Sequence, residues 1–190
     1  RCLSRGLGDV YKRQEEKLII AAEKTEISDI IYKYCRAIDR MDRELLESVF
    51  HEDSTHHHGE YEGSSSKFCD FAFDILSEME FTQHHVGNIL IDLDGDKAWS
   101  ESYWTAYHRM AKGKESDMGF LAEHDVSIDE DVFVGGRYID YFEKRKNVWK
   151  IAKRQGVHDW VRFEPANEKG QLQAAGPTPS RSRKDPAYQR

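Results

Sequence analysis

The stretch Thr82-Gln83-His84-His85-Val86-Gly87-Asn88-Ile89-Leu90-Ile91-Asp92-Leu93-Asp94-Gly95 decides how this chain is read. From His84 onward the apolar period is two, which is that of a half-buried strand, and Asp94-Gly95 carries the residue types of a tight hairpin turn. Before it, the period is helical. Residues 25 to 39 set Ile27, Ile30, Ile31, Tyr34, Cys35 and Ile38 on one stripe, with Thr25 as N-cap. A shorter helix is expected from Asp42 to Phe50, bearing Leu45, Leu46, Val49 and Phe50. A third is expected from Lys67 to Met79, after the loop Gly63-Ser64-Ser65-Ser66.

Beyond Gly95 the strand period continues. Residues 97 to 110 form a long strand with Trp99, Tyr103, Trp104 and Tyr107. Residues 132 to 144 form another, which turns at Lys146-Asn147 into residues 148 to 163. Helices first and hairpin-linked strands after predict an α+β fold, with three N-terminal helices packed on a strongly curved antiparallel sheet. A curled sheet with helices laid across it leaves a cavity, a common place for a small-molecule site. Gly135-Gly136 fits a bulge within a strand, and no nucleotide- or flavin-binding motif is present, so no cofactor is expected.

The bulk numbers narrow the function. The 190 residues are 38% hydrophobic, enough for one domain with a core, and the formal net charge of -7 is spread without a basic stripe. Nucleic acid is therefore not an expected partner. No apolar run reaches the roughly 18–20 residues of a membrane span, so no membrane association is expected. Cys35 on the helical stripe and Cys69 between phenylalanines read as reduced, buried thiols, which fits a cytoplasmic location. Residues 1–14 lack both periods and resemble a translated sequencing-adaptor segment, so they are expected to be a non-native or disordered leader. The domain is expected over 15–165. All four prolines lie from Pro165 onward, so residues 166–190 are expected to be a disordered, weakly basic tail.

Two segments carry chemistry. Tyr34-Cys35-Arg36-Ala37-Ile38-Asp39-Arg40-Met41-Asp42 places a phenol and a carboxylate at a helix end, and Thr82-Gln83-His84 places an imidazole at the start of a strand. A carboxylate that fixes an imidazole in one tautomer can move protons at neutral pH. Asp42 is the better-placed cap for the second helix, which leaves Asp39 free to face a cavity. On a strand His84 and His85 point opposite ways, and alternation does not choose between them.

Taken in order, these segments resemble the SnoaL-like branch of the nuclear transport factor two-like superfamily. Further markers are Phe50-His51-Glu52-Asp53, Gly59-x-Tyr61-x-Gly63, the Asp94-Gly95-Asp96 turn with Glu101-Ser102-Tyr103, and Gly136-Arg137-Tyr138 with Trp149-Lys150-Ile151-Ala152. The resemblance covers residues 25 to 163. It implies a cone with an internal pocket and cofactor-free proton chemistry, as in polyketide cyclases, steroid isomerases, bile-acid and scytalone dehydratases and a dehydrochlorinase. Asp39 and His84 match the carboxylate and histidine of dehydratase-type members. Ile38 stands where scytalone dehydratase has a tyrosine, and a second tyrosine of that enzyme aligns near His58, which argues against scytalone as the substrate.

The resemblance thus implies a lyase or isomerase acting on a hydrophobic cyclic, steroid- or polyketide-like molecule. His84 would be the base, Asp39 its orienter and Tyr34 the oxyanion donor. Substrate contacts are expected from His58, from Asn88 on the His84 face, from Tyr103 and Tyr107 of the aromatic strand, and from Arg137, a cation inside a sheet segment. His56-His57-His58 lacks the spacing of a metal site, and no metal is expected. The apolar outer face of the sheet predicts a homodimer or homotrimer. The rival expectations are a non-catalytic binding or assembly module and the structural small subunit of a ring-hydroxylating dioxygenase.

Overall fold

The computed structural model describes residues 2–115, 122–167 and 176–189. Helix α1 runs unbroken over Cys2–Asp39 and α2 over Arg43–Ser48; strands β1 (Phe50–His58) and β2 (Tyr61–Ser64) precede α3 (Ser65–Ser77). Four long strands follow: β3 (Met79–Asp94), β4 (Lys97–Met110), β5 (Glu130–Arg145) and β6 (Val148–Pro165). With β1 and β2 they form one six-stranded sheet in the order β2-β1-β6-β5-β4-β3. The sheet is curled and unclosed, with β2 and β3 as its free edges.

The α+β class is as the sequence predicts, with two corrections. The sheet is mixed, because β1 runs parallel to β6 while every other pair is antiparallel. The third helix lies between β2 and β3 rather than with the first two. The histidine-rich segment that holds β1 lacks a clean apolar alternation, so its strand character is set by pairing with β6 rather than by its own pattern.

Helix ends also moved. Thr25 lies inside α1 and its hydroxyl donates to the Ala21 carbonyl at 2.9 Å, so it caps nothing. Burial on α1 starts further along, with Ile27, Ile31, Tyr34 and Ile38 in one core cluster with Leu46, Phe142 and Ile151, while Leu18, Ile19 and Ile20 are exposed. At its C-terminal end Asp42 N–H donates to the Ala37 carbonyl at 2.9 Å, and Met41 takes a left-handed φ of 51°. Asp42 then accepts from Leu45 N–H at 3.1 Å as the N-cap of α2. This corner fixes the direction in which Asp39 leaves α1.

The C-terminal residues are described in part. Residues 168–175 and 190 lie outside the described residues, but 176–189 pack against the α1–α2 corner. Arg183 pairs with Asp42 at 3.1 Å and with Glu44 at 2.8 Å, Arg40 lies 3.6 Å from Asp185, and Arg181 donates to the Met79 carbonyl. The Arg36 guanidinium sits 4.5 Å over the Tyr188 ring. The segment is too polar to bury an apolar face, and it is held by charge complementarity instead. Of the expected leader, residue 1 lies outside the described residues, and the rest continues α1. Among the described residues no helix is long and apolar enough to cross a membrane.

Candidate active site

A cavity of about 310 Å³ opens between α1, α3 and the concave face of the sheet. Its inner wall is formed by Tyr34 and Ile38 of α1, Met79 and His84 of β3, and His108 of β4. Trp104 and Tyr138, stacked 5.3 Å apart at 19°, pave the sheet side. Phe68, Phe71 and Leu76 of α3 close the other side. The surface is mainly apolar with a few imidazoles, a composition that excludes water and orients a ligand through few polar contacts.

Asp39 and His84 meet at this wall. One carboxylate oxygen accepts from the His84 backbone N–H at 2.8 Å, and the other lies 2.8 Å from Nδ1 of the same residue. Both side chains are about nine-tenths buried. Burial raises the Asp39 carboxyl, but the bonds from His84 outweigh it and hold the group below its ordinary value. An ionised carboxylate can only accept, so Nδ1 carries a proton, and in the neutral ring the lone pair is on Nε2. Nε2 is the ring nitrogen left for the cavity that His84 lines.

His108 stands beside this pair, its ring 5.4 Å from that of His84 and nearly perpendicular. Burial first, then the neighbouring His84, push its pKa down to about 3, so the ring is neutral. Sequence reading did not assign it to the proton-transfer group. The signal lies in strand register: a bulge between Val86 and Ile89 shifts the β3–β4 ladder by one residue, so His84 pairs with Ala106. The diagonal neighbours on its face are then Trp104 and His108.

Three expected substrate contacts are corrected, two of them by the parity of β4, where Trp104, Ala106 and His108 are buried and the residues between them face out. Asn88 sits within the bulge, is exposed and does not line the cavity. Tyr103 points to the outer face at 47% exposure. Tyr107 also lies off the cavity, its hydroxyl donating to Asp131 at 2.8 Å. Arg137 is corrected by strand parity: Val134, Tyr138 and Asp140 of β5 point inward, so Arg137 points out. There it forms a two-pronged pair with Asp159, at 3.0 and 3.1 Å.

The fully buried cation of this sheet is Arg154, which the sequence reading did not single out. It makes two bonds to Asp140, at 2.7 and 2.6 Å, and its guanidinium lies 4.0 Å from the Tyr34 ring and 4.3 Å from the Tyr138 ring. It thereby fixes the Tyr34 phenol at the cavity wall, where burial pushes the hydroxyl above its ordinary pKa and keeps it protonated. Cys35 and Cys69 are free thiols, both buried and both pushed up to about 12 by burial.

His58 lines the cavity at the end near the β1–β2 turn, and its Nε2 lies 3.0 Å from Nε2 of His158. His56 is sealed in the core, its ring 3.4 Å from Phe68 and parallel to it. Among the described residues no group of three or more His, Cys, Asp or Glu side chains is placed to hold a metal ion.

Comparison with known proteins gives a family profile and several solved structures of similar fold. The profile of the SnoaL-like domain matches residues 20–155. Among solved structures, a hexachlorocyclohexane dehydrochlorinase, LinA type 2, superposes with a TM-score of 0.65 at 18% identity, over 84% of this chain and 99% of that one. A scytalone dehydratase candidate from Novosphingobium aromaticivorans gives 0.61 at 22% identity, over 80% and 97%. An aromatic ring hydroxylase candidate from the same organism gives 0.60 at 18% identity, over 77% and 94%. No curated protein sequence matches the chain. The family profile spans well over half of the sequence, and the protein belongs to the SnoaL-like domain family of the nuclear transport factor two-like superfamily.

Proposed function

We propose that this protein is a cofactor-independent lyase or isomerase that moves a proton on a hydrophobic cyclic molecule, of steroid or polyketide type. The observation that carries the reading is the Asp39–His84 pair, bonded at 2.8 Å and set in the wall of an apolar cavity. His84 Nε2 takes a proton from the carbon next to a substrate carbonyl. Asp39 holds the ring in the required tautomer and stabilises the imidazolium that forms. Tyr34 donates to the carbonyl oxygen as enolate charge develops. In a β-hydroxy substrate the imidazolium then protonates the leaving hydroxyl: the C–O bond breaks, a C=C bond forms and water departs. Without a β-hydroxyl, the proton returns to another carbon and the double bond migrates.

General acid–base steps of this kind contribute roughly 10²–10⁴-fold. Two solved structures with this fold carry dehydrochlorinase and scytalone dehydratase names, which supports an elimination chemistry without naming the substrate. The buried free thiols Cys35 and Cys69 fit a reducing, cytoplasmic setting, and no bound cofactor is required by the proposed steps. Trp99, Tyr103 and Trp160 are each about half exposed, which favours self-association as a homodimer or homotrimer. The same exposed face is the one observation in favour of a second reading, an assembly module or a structural dioxygenase subunit.

The test is a screen of purified protein against β-hydroxy and enone steroids and polyketides, with His84→Ala as control. Turnover that falls by about 10²-fold or more in the variant supports the proposal. Turnover at an unchanged rate in His84→Ala removes His84 from the mechanism. Co-purification with an iron-bearing chain and no turnover would favour the structural reading.

A further inference from the structure

The cavity has a second polar end that the proposed reaction does not use. His84 and His108 come from β3 and β4, on one flank of the sheet; His58 and His158 come from β1 and β6, on the other. Trp104 lies between the two sets, its ring 6.3 Å from His84, 6.3 Å from His58 and 5.6 Å from His158.

Three glycines build this second end. A Cβ on Gly156 would stand 2.3 Å from His58 Nδ1, so the missing side chain lets the His58 ring fold across β6. A Cβ on Gly136 would stand 2.0 Å from the Val157 carbonyl, and one on Gly135 would meet the Trp160 ring at 2.3 Å. Opposite that glycine pair the ladder skips Asp159, because Gly135 pairs with Trp160 and Gly136 with His158. The bulge turns His158 toward His58 and brings both to 3.0 Å. His58 is further held by stacking near His56 and Phe68, at 5.9 and 5.8 Å, whereas His158 is exposed on its outer side.

The proton arrangement of the pair follows from its surroundings. Burial and the neighbouring imidazole hold His58 well below its ordinary pKa, and burial lowers His158 as well, so both rings are neutral. His58 Nδ1 is buried without a hydrogen-bond partner. An orphaned N–H is rarer and more costly than an orphaned lone pair, so the His58 proton sits on Nε2 and is donated to Nε2 of His158.

We infer that the His58–His158 pair is a hydroxyl-recognising subsite, which anchors the end of a flat cyclic ligand remote from His84. It deepens, and rests on, the reading of this cavity as a substrate site. A hydroxyl can replace the direct bond between the rings, accepting from His58 Nε2–H and donating to His158 Nε2. A carbonyl only accepts, so it could take up the His58 half of that bond and not the His158 half. A carboxylate would find one hydrogen and no positive charge. The ligand class is thus an alcohol or phenol on a flat ring system, with the reacting carbon at the far end beside His84.

The probes are 2-naphthol and 2-methylnaphthalene, which share a shape and differ in the hydroxyl; their dissociation constants are read by titration of ligand fluorescence. The wild-type protein should hold 2-naphthol about five- to tenfold more tightly. In His158→Phe and in His58→Phe that preference should vanish, while 2-methylnaphthalene binds within about twofold of wild type, which also reports an intact fold. In His84→Phe the preference should persist. Equal affinities in wild type, or a preference that survives both His158→Phe and His58→Phe, overturn the subsite. A preference lost only in His84→Phe places the hydroxyl at the deep end: it overturns this inference and leaves the proton-transfer reading standing. Failure of His84-dependent turnover would break that reading and leave the naphthol result untouched.

Discussion

Asp39–His84 and Asp140–Arg154 are both acid–base pairs removed from bulk water, and they differ in what lies on their far side. Arg154 and Asp140 have no exposed side-chain surface, and Tyr34 and Tyr138 cover the guanidinium. His84 instead lines the cavity with the edge that Asp39 does not hold. The guanidinium of the Asp140–Arg154 pair stays charged at any accessible pH, whereas an imidazole can exist with or without its second proton. Burial alone therefore does not mark a reactive pair. A titratable partner and an open side do, and the sealed pair serves by fixing Tyr34 beside the open one.

The contrast can be broken first at the sealed end. Arg154→Met leaves the Asp140 carboxylate buried and unpaired, and should destabilise the domain by about 3–5 kcal/mol in denaturant unfolding. A loss below about 1 kcal/mol would mean that the two tyrosines, and not the ion pair, hold this region. Asp39→Asn acts at the open end, where the amide can no longer enforce the Nδ1–H tautomer. It should cut kcat on whatever substrate the screen identifies by about 10²-fold or more, with little change in Tm. A loss carried by KM alone would make Asp39 a binding group.

Acid stability sharpens the comparison further. The buried rings of His56 and His58 are held well below the ordinary 6.5, and His108 is pushed down to about 3, so the folded protein resists protonating them. Below pH 6.5 the unfolded chain binds protons that the folded chain does not, and stability falls as pH falls. The slope approaches about 1.4 kcal/mol per pH unit for each such histidine. Asp39, held below its ordinary 3.8, loses its contribution further down, as pH falls through its folded pKa. His56→Phe, which keeps the stack on Phe68, should flatten the melting-temperature profile between pH 7 and 5. An unchanged profile would remove His56 from the acid response. The smallest effect belongs to the surface pair: Arg137→Ala breaks the bonds to Asp159 and should leave Tm unchanged, since exposed pairs contribute little. A clear drop in Tm would show that this pair braces the bulge carrying His158.

Most of the fold was legible because its signals are local. The Ile27 to Ile38 stripe, the Asp94-Gly95 turn and the Gly135-Gly136 bulge all stand where their residue types require. The parallel β1–β6 pairing was not legible, since nothing in Phe50–His58 specifies a partner far along the chain. At the site, Tyr34, Asp39, His58 and His84 come together around one cavity. Asn88 does not, because it falls in the β3 bulge, and Tyr103 and Tyr107 do not, because β4 turns Trp104, Ala106 and His108 inward, a choice of face that alternation alone leaves open. Arg154 escaped for a related reason: an arginine in a strand looks the same whether it faces out, as Arg137 does, or in. Only the parity of β5 and β6 separates the two.

The ring-nitrogen ¹⁵N shifts of His84, assigned by their disappearance in His84→Gln, test the fixed tautomer directly at neutral pH. The Asp39 bond predicts a protonated Nδ1 and an unprotonated Nε2, with the two forms mixing in Asp39→Asn. A wild-type His84 that carries its proton on Nε2, or exchanges freely between the two nitrogens, would contradict the account.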